Sequence, residues 1–70
     1  MDYLVLFERA SEGSIWAKVP DLPGCYSFGE TVDDAKLQIK EAIGFHIEGL
    51  KEEGLDVPIP QVFQAELIHI

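Results

Sequence analysis

Basic residues are scarce in this chain: five Lys and Arg stand against thirteen Asp and Glu, a net charge of −8 over 70 residues. Phosphate backbones repel such a surface, so direct nucleic-acid binding is not expected; the charge reads either as a solubility device or as steering towards a basic protein partner. Cysteine occurs once, as Cys25, which excludes an internal disulfide and suits a reducing cytoplasm. Asparagine is absent and methionine occurs once, a depletion of thermolabile residues in the direction of heat-adapted proteins. No apolar run approaches the roughly 20 residues of a membrane span. The opening MDYLVLFERA starts acidic and is broken by Glu8 and Arg9, unlike a secretory signal. A cytoplasmic setting without membrane attachment is therefore expected.

Catalytic equipment is equally thin. Gly24 and Gly29 flank strand-like residues and do not open a strand-to-helix phosphate loop. Cys25 with His46 and His69 matches no zinc spacing. A thiol in an apolar strand-like segment reads as structural, and His46 falls on an apolar helical stripe as a packing residue. The acid pair Asp33-Asp34 sits where a helix dipole favours it, and Glu41, Glu48, Glu52 and Glu53 read as solvated helix surface. Glu8 and Glu66 fall on strand-like segments, yet two acids without further support are a weak metal site. No enzyme activity, metal or cofactor is expected.

What is present is a core: 47% of the residues are hydrophobic, enough for a globular fold and too many for disorder. The length allows one domain, residues 1–70, near the lower limit for a self-sufficient core. Tyr3 to Glu8 reads as a first strand, with Tyr3, Val5 and Phe7 on one face and Leu4 and Leu6 on the other. Both faces are apolar, so a central position is expected. Ser14 to Val19 alternates as a second strand after a short polar turn, the pattern of a hairpin. Pro20 and Pro23 make Asp21-Leu22-Pro23-Gly24 a turn, and Cys25 to Phe28 a short third strand. Thr31 then caps a helix whose stripe is Val32, Ala35, Ile39, Ala42, Ile43, His46, Ile47 and Leu50. Gly54, Pro58 and Pro60 end it, and Gln61 to Ile70 reads as a closing strand. The expected fold is α+β, β-β-β-α-β: one antiparallel-rich sheet with a single long helix packed on one face.

One helix covers one face of a sheet, whereas these strands are apolar on both. Leu4, Leu6, Trp16, Tyr26 and Phe28 are the candidates for the uncovered face, and a patch of that size calls for burial against another chain. Leu37 and Phe45 lie off the helical stripe, beside Glu41 and Glu48, as a candidate secondary contact. A homodimer is the expected assembly, with a tetramer as the alternative.

The strand pair ending in Pro20-Asp21-Leu22-Pro23-Gly24-Cys25, the aromatic strand, Gly29-Glu30-Thr31 leading to an acid-opened helix with Ala35 and Ala42, and the exit Pro58-x-Pro60 together resemble the HicB-type antitoxin family. The resemblance spans nearly the whole chain. It implies a partial ribonuclease-H-like topology without the nuclease carboxylates. It also implies a role: neutralising a small basic, RNA-cleaving toxin of the HicA type by direct binding. Many members add a C-terminal DNA-binding segment. This sequence runs directly from its last strand-like stretch to Ile70, so operator binding is not expected. The alternative is a stand-alone oligomeric HicB-like domain, of accessory or ligand-binding role, without a toxin partner.

Overall fold

Two tight turns, each with a glycine at positive φ, set the sheet. In the computed structural model, which describes every residue from Met1 to Ile70, β1 (Leu6–Arg9) and β2 (Ile15–Lys18) form a hairpin. It closes where the Ala10 amide donates to Ser14 O at 2.8 Å and Gly13, at φ 97°, returns its amide to Ala10 O. The segment Val19–Cys25 then folds on itself through Leu22 N–H to Val19 O (3.1 Å) and Cys25 N–H to Leu22 O (3.0 Å). It delivers β3 (Tyr26–Gly29) antiparallel to β2. The sheet order is β1-β2-β3, and α1 (Val32–Glu52) packs across it.

The helix starts as the sequence indicates. The Thr31 hydroxyl accepts from the Asp34 amide at 3.1 Å, while the Asp34 carboxylate accepts from the Glu30 amide, closing the cap from both sides. At the other end Gly54 adopts φ 73°, and Lys51 lies in the last turn, where the dipole favours a cation. The core lies between sheet and helix: Ile15, Ala17, Val19, Leu22, Cys25, Ala35 and Ile39, flanked by Tyr3, Val5, Ala42 and Ile43. Val32, placed on the stripe by its spacing, is exposed in the first helical turn. No helix is long and apolar enough to cross a membrane.

Two expectations are corrected. β1 is not central but an edge strand, and all four of its residues are exposed. Gln61–Ile70 forms no strand. Its root is held, because the Asp21 carboxylate accepts from the amides of Gln61 (3.0 Å) and Val62 (2.9 Å), and the Tyr3 hydroxyl donates to Pro58 O. A strand exists only by pairing, and beyond this clasp the backbone makes no hydrogen bond to the rest of the chain.

Candidate protein-binding face

Strand register decides which side chains share a surface. Pairing places Trp16 opposite Phe28 and Glu8, and Lys18 opposite Tyr26 and Leu6. Because side chains alternate across a strand, these six residues occupy one face, opposite to the Ile15 and Ala17 side chains that meet α1. The rings form a cluster: Trp16 lies 3.8 Å from Phe28 and 5.3 Å from Tyr26, centroid to centroid. Lys18 Nζ stands 5.4 Å from the Trp16 ring centre and 2.8 Å from a Glu8 carboxylate oxygen. The cation therefore borders the aromatic surface while its charge is balanced locally.

Of the residues singled out by patterning, Leu6, Trp16, Tyr26 and Phe28 come together on this face. Tyr26 and Phe28 are 53% and 44% exposed, a large loss of burial for aromatic side chains. Leu4 precedes β1 and is half-buried. Leu37 and Phe45 stand apart on the helix, 68% and 74% exposed. Phe45 borders a shallow open groove with Glu41, Gly44 and Glu48.

A feature that sequence reasoning missed adjoins the face. An open depression of about 320 Å³ lies at the Pro-Gly turn, where Pro20 and Leu22 join Lys18, Leu6 and Tyr26. Since the last three belong to both, ring surface and depression are continuous, and a protruding apolar side chain would find an anchor point. The signal available in the sequence was the lone leucine between Pro20 and Pro23.

Cys25 faces the core, and burial pushes its thiol above the ordinary value of 9.0. The folded state thus retains the proton more tightly than the unfolded chain. The stability linked to that difference is complete below the ordinary thiol pKa and is lost as pH rises through the folded value. Native protein should react with a thiol reagent at pH 8 on the order of 100-fold more slowly than urea-unfolded protein, because the attacking thiolate is scarce and covered. Equal rates would show Cys25 to be accessible. Glu12 is held below the usual carboxylate range, first by the Ser14 hydroxyl and then by its own amide, with Ser11 adding to them. No group of three or more His, Cys, Asp or Glu gathers to hold a metal, and Glu8 and Glu66 are engaged separately, with Lys18 and Gln64.

Fold and face define a class: a small α+β domain whose sheet carries a helix on one side and bare aromatic surface on the other. A family model described as "HicB_like antitoxin of bacterial toxin-antitoxin system" matches residues 3–68. The chain belongs to this HicB-like antitoxin family. It is similar to the crystal structure of the N-terminal domain of the Burkholderia pseudomallei antitoxin HicB, with a TM-score of 0.72 and 37% identity. That match covers 84% of this chain and 69% of the other. Among curated relatives, a UPF0150 protein of Thermoplasma acidophilum is 40% identical over 58 residues, 83% of this chain and 84% of that one. An uncharacterized 14.9 kDa protein from the rep-hol intergenic region of Haemophilus phage HP1 is 45% identical over 58 residues. There the match covers 83% of this chain and 43% of the phage protein, less than half its length.

Proposed function

We propose that this domain neutralises a small basic, RNA-cleaving toxin of the HicA type by binding it through the face formed by Leu6, Trp16, Tyr26 and Phe28. The observation that carries the reading is the aromatic cluster left bare on the sheet opposite α1. Aromatic anchors beside a depression are the usual centre of a binding hot spot. The net charge of −8 supplies the attraction that brings a basic partner to it. The domain acts in the cytoplasm by covering the toxin's active surface or RNA path, itself neither contacting nucleic acid nor catalysing a reaction. Membership of an antitoxin family supports the same role. The strand-strand-strand-helix order supports the partial ribonuclease-H-like topology that the resemblance implies.

Co-expression with a small basic protein of the HicA type, sought first in the reading frame beside this one, tests the proposal. The two proteins should co-purify, the antitoxin should restore growth, and association should slow as salt rises, because opposite charges steer the encounter. If neither co-purification nor rescue occurs, the toxin reading fails. A stand-alone oligomeric domain of accessory or ligand-binding role then takes its place, with the depression at the Pro-Gly turn as its ligand site.

A further inference from the structure

Beyond Val62 the chain has strand-like residues and no strand. Phe63, Ala65 and Leu67 alternate with Val62, Gln64 and Glu66, and Ile68 and Ile70 follow. Phe63 is 87% and Leu67 103% exposed, and no amide or carbonyl of Phe63–Ile70 bonds to another segment of the chain. The root of this arm is not loose. The Asp21 carboxylate and the Tyr3 hydroxyl hold residues 58–62 near the end of the sheet where β1 begins. β1 presents the complementary problem: Leu6 and Phe7 give it apolar side chains on both faces, as in an interior strand, yet its outer edge is unpaired.

We propose that Phe63–Ile70 is a strand of a second copy's sheet, laid along the free edge of that copy's β1 and exchanged reciprocally about a two-fold axis. Molecular dimensions favour a second copy as the occupant. The radius of gyration is 13.1 Å, against roughly 11 Å for a self-contained domain of this length. The accessible surface is 5593 Å², against roughly 4,400 Å² for a folded monomer of 7.8 kDa. The excess, roughly 1,200 Å², exceeds the ~800 Å² that each partner commonly buries in a stable interface. Only 8 of 70 residues are buried, so the lone chain is short of core. Exchange supplies both missing items at once, a neighbour for β1 and an edge for the arm, and two-fold closure limits the exchange to two chains. Added at an edge, the arm extends the sheet and leaves the Trp16, Tyr26 and Phe28 rings free. The exchange therefore stands independently of what those rings bind.

Sedimentation and hydrogen exchange on the full chain test the proposal. At about 50 μM the protein should sediment with twice the monomer mass, with the amides of the arm and of β1 protected together. Leu67→Asp should yield a monomer with unchanged helical circular dichroism, since Leu67 makes no intrachain packing. The adjacent pair Ala65→Pro and Glu66→Pro probes pairing itself. Alternate amides point to opposite sides of a strand, so one of the two prolines deletes a donor to β1. That variant should weaken dimerisation at least ~30-fold, and the other less. A monomeric full chain overturns the proposal, whether its arm amides exchange freely or are protected by its own sheet. So does a dimer undiminished in all three variants. Toxin co-purification reads the aromatic face separately, so either idea can fail alone.

Discussion

Gly29→Ala is expected to remove roughly 3 kcal/mol or more of stability, although it adds a single methyl group. A Cβ at Gly29 would lie within 3 Å of the backbone of Ala35 and Asp34, so the obstacle is main chain and cannot rotate aside. The close approach is built into the topology. β3 ends at Gly29, the cap at Thr31 follows directly, and the first helical turn crosses back over the strand at Ala35, which is fully buried. Relief would require lifting α1 from the sheet and opening the core around Ile39 and Leu22. Overpacking of that kind costs roughly 1–3 kcal/mol and more where backbone must move, while a chain of this length holds roughly 3–10 kcal/mol in total. The same substitution at Gly44 should act in the opposite direction. Its Cβ would meet nothing within 4 Å, and alanine is favoured over glycine inside a helix by about 0.5–1 kcal/mol. Urea titrations followed by circular dichroism should show the Gly29 variant with a strongly lowered midpoint and the Gly44 variant with a raised one. A Gly29→Ala protein as stable as the parent would refute the close packing.

The elements that proved legible are those whose signals are local. The alternation Ile15, Ala17, Val19 reports a buried face because side chains alternate across any strand, and all three are buried. Thr31 followed by Asp33 and Asp34 marks the helix start because the capping bond spans three residues. Partners distant in sequence were not legible. The two-faced apolarity of β1 reports a need for cover on both sides but is silent on what supplies it, and its position at the edge of the sheet was misread for that reason. The strand-like composition of Gln61–Ile70 likewise expresses a local preference that no edge within the chain satisfies. Asp21 looked like an ordinary turn residue, yet it binds amides 40 and 41 positions later.

The aromatic face was legible because register follows from hairpin geometry. Once β1 and β2, then β2 and β3, are antiparallel neighbours with short connections, alternation forces Trp16, Tyr26 and Phe28 onto the side away from Ala17. Lys18 and Glu8 obey the same alternation and could have been assigned to the face on that basis. Leu22 was the larger omission. Segments rich in proline and glycine normally run over the surface, but this one turns its leucine inward, to zero exposure. The loop thereby becomes part of the core and one wall of the depression beside Tyr26.

Phe28→Lys is expected to weaken the proposed toxin binding at least ~100-fold while leaving the domain folded and its proposed dimer intact. Phe28 is 44% exposed, so the folded chain gains little from burying it, and its main contact on the face is the Trp16 ring. Losing that aromatic pair costs about 0.5–1.5 kcal/mol, a tolerable fraction of the total stability. In a complex the balance reverses. The ring would be desolvated against the partner, where truncating an aromatic hot spot costs about 2–4 kcal/mol, and the new cation would face a basic surface. An affinity loss of at least ~100-fold corresponds to about 2.8 kcal/mol, within that range before repulsion is added. Phe28→Tyr, which keeps the ring, should restore most of the binding. Leu67→Asp should show the opposite profile, losing the dimer and keeping the toxin, because Leu67 lies on the arm and not on the face. Calorimetric titration of the toxin into each variant, with sedimentation in parallel, reads both properties on the same samples. If Phe28→Lys binds the toxin as tightly as the parent, the contact does not involve the aromatic face. The exposed Leu37 and Phe45 on α1 would then be the next surface to substitute.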